Sequence, residues 1–258
     1  MTEERLNVAG LAEDARRRDP WWGMHASRYL FARRYPGRRV LDVACGTGYG
    51  LRILADGAAC VVGVDADAGS ARTARVEAGD RASVLVADGG RLPFADGTFD
   101  LVTSFETIEH LRERRGFVDE LRRVLAPGGI AVISTPNALY TEPVDGVPKN
   151  RFHVHEYEPD EFVAELAPSF GQIELVGQRL SERFVMSPFW DDQQRLPPTA
   201  AARARLAAWR VVNRLPGGLR DAASRALWGH DFIPTEHDYR FAADTTSAVP
   251  VLVATCRP

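Results

Sequence analysis

Val40-Leu41-Asp42-Val43-Ala44-Cys45-Gly46-Thr47-Gly48-Tyr49-Gly50 is an apolar strand that runs into a glycine-rich turn, and the next apolar stretch, Val61-Val62-Gly63-Val64-Asp65, ends in an acid. Glycines at that place let the backbone turn tightly at the carboxyl end of the strand and come close to a ligand. The first N–H groups of the helix behind them face any negative charge there. An acid closing the second strand stands where it can bind two ribose hydroxyls. The two stretches together read as a pocket for a nucleoside.

Spacing argues against a dinucleotide. The fingerprint G-x-G-x-x-G needs its third glycine where this chain has Leu51, and Gly50 comes one position early. Asp42 also lies inside the first strand just before the turn. A carboxylate there would repel a pyrophosphate but could receive a cationic amino group, directly or through water. A ligand with an ammonium, a carboxylate and a ribose fits better.

On these residues the chain resembles the class I S-adenosylmethionine-dependent methyltransferases, whose first motif is an acid, two or more small residues, and G-x-G-x-G. The likeness extends to Asp65, to Val86-Ala87-Asp88-Gly89 closing a third strand, and to Phe99-Asp100-Leu101-Val102 opening a fourth. The resemblance implies S-adenosyl-L-methionine as cofactor and S-adenosyl-L-homocysteine as product. By the same resemblance Asp42, Gly46, Gly48 and Gly50 would hold the methionine part, Asp65 the ribose and Asp88 the adenine amino group, with Ala44, Ala66 and Gly89 also among the cofactor-binding residues. Tyr29, in His25-x-x-Arg28-Tyr29, and Phe105 would close over the cofactor, whose sulfonium an aromatic face attracts as it does an ammonium. Core packing is the alternative for both rings.

The chain has 258 residues, 45% hydrophobic and 26% charged, enough for one domain with a full core and an insertion. No apolar run approaches the roughly 20 residues of a membrane span, and Met1-Thr2-Glu3-Glu4-Arg5 is too charged for a signal peptide, so the expected compartment is the cytoplasm with no membrane partner. Net charge is −3, which gives no reason to expect nucleic acid. Lys149 is the only lysine, so the arginine-rich basic set reflects the codon bias of a GC-rich genome and is poor evidence for phosphate recognition. Cys45, Cys60 and Cys256 lack metal-ligand spacing and read as buried thiols.

From Arg38 onward strands and helices alternate. Strands are expected at Val40 to Cys45, Cys60 to Asp65, Ser83 to Asp88, Phe99 to Phe105, Ile130 to Thr135, Gln172 to Gly177 and Pro250 to Cys256. A helix from Leu111 to Leu125 carries Phe117, Leu121, Val124 and Leu125 on one face and stops at Pro127-Gly128-Gly129. Such alternation predicts an α/β fold with a doubly wound sheet. The resemblance implies a Rossmann-like sheet of seven strands in the order 3-2-1-4-5-7-6, the last strand antiparallel. Residues 1–37 are expected to form a helical amino-terminal lid anchored by Trp21, Trp22, Tyr29, Leu30 and Tyr35, ahead of a catalytic domain over 38–258. About seventy residues, Gln178 to Val249, separate the last two strands, a length that is functional or disordered. Two helices, Thr199 to Arg214 and Leu219 to Trp228, are expected inside it as a substrate lid.

Methyl transfer is an in-line displacement, so a side chain need add at most a general base. Ser104-Phe105-Glu106-Thr107-Ile108-Glu109-His110-Leu111 follows the fourth strand and is expected to open a helix at the rim of the site. Its Ile-Glu-His is similar to the Leu-Glu-His of quinone O-methyltransferases, and a histidine suits base work near neutrality. Capping and orienting that helix is the alternative for Glu109 and His110. A second cluster is Asn150-Arg151-Phe152-His153-Val154-His155-Glu156-Tyr157. If extended, it sets His153, His155 and Tyr157 on one side and Glu156 on the other. His153 is expected to line the acceptor site. His-x-His also has metal-ligand spacing, but no third ligand is evident, so no metal is expected. In the insertion, Arg203, Arg205, Arg210, Arg214, Arg220 and Arg225 are flanked by Asp191, Asp192, Asp231, Glu236 and Asp238, and a solvated face is the expectation for both sets. The expected partner is a small-molecule acceptor, methylated on a hydroxyl of a sugar, glycoside or other secondary metabolite. An amine of an amino sugar and a non-catalytic cofactor-binding protein are the alternatives, and a homodimer is left open.

Overall fold

The computed structural model describes residues 20–35, 37–181, 184, 199–243 and 249–258. The chain forms two compact units, one of Ala26–Arg179 with Phe241–Pro258, preceded in sequence by Met1–Leu11, and one of Ala12–His25 with Leu180–Arg240. Most of the amino-terminal segment, together with Asp191 and Asp192, lies outside the described residues.

The first unit is built on strands β1 (Arg39–Val43), β2 (Cys60–Asp65), β3 (Ser83–Val86), β4 (Phe99–Phe105), β5 (Leu125–Pro136), β6 (Gln172–Leu180), β7 (Tyr239–Ala242) and β8 (Val251–Arg257). Their spatial order is 3-2-1-4-5-8-6-7. Strands β3, β2, β1, β4 and β5 run parallel, and β8 is antiparallel to both β5 and β6. The doubly wound order expected from the sequence is present, with one more strand than expected. Strand β7 adds itself beside β6 at the edge. It has four residues, of which only Tyr239 is buried, so it shows no alternation that would separate it from the insertion around it.

Strand β4 shows no alternation and buries Thr103 and Ser104 along with its apolar residues, because every position but Asp100 is buried. The exception is used. Asp100 accepts from the backbone N–H groups of Arg38 and Arg39 and from the Arg39 guanidinium, and those bonds hold its carboxyl below the usual range. The amphipathic helix begins later than expected, at Arg114–Val124, and buries Phe117, Val118, Leu121 and Val124. Before it, Ile108–His110 forms a single 3₁₀ turn where the sequence pattern suggests a continuous helix. Arg123, near the end of the helix, donates to the carbonyls of Leu92 and Phe94 and to Glu120 and Asp96, which ties the loop before β4 to the helix.

The core joins Leu41, Val43, Val64, Val102, Ala131 and Ile133 of the sheet to Phe117 and Leu121. Cys45 and Cys256 are buried as expected, but Cys60 is exposed, because it opens β2 at the amino end of the strand, where the sheet face is no longer covered. In the second unit, helices at Ala200–Val212 and Gly217–Trp228 enclose a small cluster of Val212, Phe232 and Ile233, with the Trp209 ring stacked 5.1 Å from Phe232. Arg203, Arg210, Arg214 and Arg225 are exposed there, while Arg220 lies half-buried over the Phe232 ring. Among the described residues no helix is long and apolar enough to cross a membrane.

Phe117 fills the space that Gly89 leaves, since a Cβ on Gly89 would fall 2.7 Å from its ring. Phe117→Ala is expected to cost about 3–5 kcal/mol, read as a lower midpoint in urea unfolding with an unchanged slope.

Candidate functional site

The carboxyl ends of the parallel strands lie side by side, and the residues singled out in the sequence collect there. After β1 the chain turns with Ala44, Gly46 and Gly48 at φ 60°, 57° and 83°. Ala44 adopts this conformation without being glycine, a local strain of the kind found where backbone is shaped around a ligand. At Gly48 a Cβ would meet Ala74 at 2.7 Å, so both conformation and packing require glycine. Gly50 has another reason. A Cβ there would fall 2.1 Å from Cζ of Tyr29, whose ring takes that space.

Asp42 is buried between β2 and β4. Thr103 Oγ1 donates to its Oδ1 at 2.8 Å, and the Tyr29 hydroxyl donates to its Oδ2 at 3.1 Å. Burial drives the carboxyl from 3.8 up to about 7; those two bonds oppose the rise, and the charge of Asp65 adds to it. Asp65 is held across the two strand ends, taking Gly46 N–H on Oδ2 and Asp67 N–H on Oδ1, both at 2.9 Å. Ala66, beside it, is exposed. Asp88 sits in the turn after β3, exposed, and accepts from Gly90 N–H at 2.9 Å. Tyr29 and Phe105 are both buried and meet edge to face at 4.9 Å, and Tyr49 meets the other side of Tyr29 at 5.5 Å. Their packing is that of a core cluster, with hydrogen bonds from Tyr29 to Asp42 and between Tyr49 and Tyr29.

The two histidine clusters, more than forty positions apart in sequence, come together. The Glu109 carbonyl accepts from Val154 N–H at 2.7 Å and His155 N–H at 3.2 Å, which clamps the later segment onto the 3₁₀ turn. His110 Nδ1 lies 3.0 Å from the Phe152 carbonyl. A carbonyl only accepts, so Nδ1 carries the proton and Nε2 is the basic nitrogen of the neutral ring. The His153 ring stands edge-on to His110 at 5.0 Å. Glu109 is fully buried, with Oε2 accepting from Thr135 at 3.3 Å and Oε1 4.0 Å from His110 Nε2. Burial first, and the charge of Glu106 second, push its carboxyl well above the ordinary value. Glu106, at φ 50°, accepts from Ser134 Oγ at 2.7 Å and lies 4.0 Å from the buried Arg28 guanidinium.

The segment 150–157 is a series of turns, so the expected sharing of one face by His153 and His155 does not occur. His155 packs on Tyr157 and bonds Glu161 at 2.7 Å, while His153 bonds Glu156 through Nδ1 at 2.6 Å. Glu156, expected on the opposite side, was missed, as were Thr103, Arg28 and Asn150. The i, i+3 spacing of His153 and Glu156 after the turn formers Pro148 and Asn150 is the signal that could have found it. Glu109, His110 and His153 offer donor atoms within 4.8 Å of one another. Both ring nitrogens of His153 are already engaged, by Glu156 and by the Asn150 amide at 3.0 Å.

Residues 41–133 match the family model described as a methyltransferase domain. A probable S-adenosylmethionine-dependent methyltransferase of Mycolicibacterium smegmatis is 37% identical over 176 residues, which cover 67% of this chain and 66% of that one. A demethylmenaquinone methyltransferase of Beutenbergia cavernae is 37% identical over 151 residues, covering 53% and 62%. The chain thus spans less than two thirds of the length of these relatives. Among solved structures, the [4+2]-cyclase SpnF superposes with a TM-score of 0.57 at 19% identity over 92% of this chain and 82% of that one, a likeness of fold alone.

Between pH 3.8 and about 7 Asp42 holds a proton in the folded protein that the unfolded chain has released. The stability owed to it therefore falls as pH climbs through that window and is level above it. Asp42→Asn is expected to flatten this part of the curve in urea titrations run across the window, and parallel curves for parent and variant would contradict the assignment.

Proposed function

Because the chain carries a class I S-adenosylmethionine-dependent methyltransferase domain, we propose that the protein methylates a hydroxyl of a small molecule, of the sugar, glycoside or secondary-metabolite class. S-adenosylmethionine supplies the electrophilic methyl group when bound, and the chain has to hold it, align the hydroxyl and take up a proton. The donor set suits that cofactor: acids stand at the ends of β1, β2 and β3, as Asp42, Asp65 and Asp88, for an ammonium, a ribose and an amino group. The turn that carries Ala44, Gly46 and Gly48 is assigned to the methionine part.

The observation that carries the reading is the tautomer of His110. Its Nδ1–H is committed to the Phe152 carbonyl, so Nε2 is the atom that receives the acceptor's proton. Glu109 Oε1 lies 4.0 Å from that nitrogen. His153 borders the same ring. The relative named for demethylmenaquinone supports a small acceptor. The second unit, which the family motifs do not cover, is assigned the choice of acceptor.

With acceptors screened by transfer of a labelled methyl group, His110→Asn is expected to lower kcat about 10²- to 10⁴-fold while leaving cofactor affinity in calorimetry unchanged. A loss of only about threefold would remove the base and favour an amine acceptor, which needs none once its nitrogen is neutral. Cofactor binding is expected to weaken as pH falls below about 7, because the ammonium must then displace the proton on Asp42, and to release protons in calorimetry run in buffers of different ionisation enthalpy. Binding without proton release at pH 6 would separate Asp42 from the ammonium.

A further inference from the structure

An unbroken chain of hydrogen bonds runs from Thr141 to His110. Thr141 Oγ1 donates to Glu156 Oε2, and His153 Nδ1 donates to Glu156 Oε1 at 2.6 Å. His153 Nε2 then accepts from Asn150 Nδ2 at 3.0 Å. Asn150 Oδ1 accepts from Phe152 N–H at 3.1 Å, and the carbonyl of that same residue takes the His110 Nδ1 proton at 3.0 Å. The Thr141 hydroxyl also reaches the Asn137 carbonyl at 3.2 Å, but from His153 onward each link has one orientation compatible with its neighbours. The Phe152 N–H faces an oxygen of Asn150, so the amide nitrogen faces His153. An N–H donor there requires a lone pair on His153 Nε2, so the proton of His153 sits on Nδ1, opposite the carboxylate.

We propose that Glu156 is the positioning residue of this site: through His153 and Asn150 it fixes the Phe152 carbonyl, and with it which nitrogen of His110 is basic. Glu156 is 5% exposed and touches none of the atoms that would react. It is suited to the task because it stays ionised. Burial acts to raise its carboxyl, but the bonds from His153 and Thr141 outweigh that and hold it below the usual carboxylate range. A carboxylate has only acceptor oxygens, so it admits a single tautomer of His153, whereas an amide at the same place admits both. The main-chain bonds from Val154 and His155 to the Glu109 carbonyl fix the other side of the segment, and the bond from His153 N–H to the Asn150 carbonyl at 3.1 Å closes the turn whose orientation the side chains then set. The arrangement is that of a base oriented by a group which is itself oriented from behind, as nucleophile–base pairs require.

The functional consequence rests on the reading of His110 as base; the link between Glu156 and the His110 tautomer does not. The test uses the full-length protein without acceptor, with ring nitrogens of His110 and His153 observed by ¹⁵N NMR. The parent is expected to show a protonated Nδ1 and an unprotonated Nε2 on both rings at pH 8. Glu156→Gln and Asn150→Ala are each expected to turn the His110 signals into a tautomer average. Both are also expected to lower kcat roughly tenfold or more at unchanged KM for the cofactor. Glu156→Asp, which keeps the carboxylate, is expected to restore part of the parent pattern. His110 signals unchanged in both Glu156→Gln and Asn150→Ala would overturn the proposal, as would equal losses in all three variants. Changed tautomers with unchanged turnover would uphold the link while removing His110 from the chemistry.

Discussion

A carboxyl group in the middle of a parallel sheet must be satisfied by hydrogen bonds or give up its charge, and Asp42 is subject to both pressures. The strands on either side of β1 leave it no water, Thr103 and Tyr29 supply one bond to each oxygen, and its affinity for a proton still rises to about 7. Much of the surrounding geometry answers to that group. Thr103 lies across from it in register on β4, and Tyr29 reaches it from an earlier helix over the glycine turn. Phe105 and Tyr49 hold the Tyr29 ring from two sides. A cation brought to Asp42 would meet a carboxyl that has a proton to release.

The parallel half of the sheet was legible because most strands there are short, largely apolar runs closed by glycine or an acid. Strands β2 and β4 begin and end where that pattern does. The extra edge strand was not, since a four-residue strand with one buried side chain has no period to detect. The helix expected to begin near His110 failed for a local reason. Glu106 sits at positive φ, and the carbonyls that would continue a helix are taken instead by the segment around Val154.

The candidate site was legible by residue type and illegible by partner. Asp42, Asp65, His110 and His153 all lie at the carboxyl ends of the strands or against the turn that follows β4. What could not be read was which atoms they spend on one another. Alternation along residues 150–157 assumed an extended backbone, and a series of turns sends His155 to Glu161 and brings Glu156 back to His153. Long-range partners such as Gln178, 150 positions from Arg28, leave no trace in local pattern at all.

Gly50 looked like the last letter of a ligand-binding motif, yet the nearest atoms to its missing side chain belong to Tyr29. One volume is therefore shared between positions 29 and 50. Enlarging the residue at 50 obliges a smaller one at 29, and that exchange would withdraw a hydroxyl from Asp42. A larger side chain at position 50 would therefore reach the carboxyl eight residues before it through the Tyr29 ring.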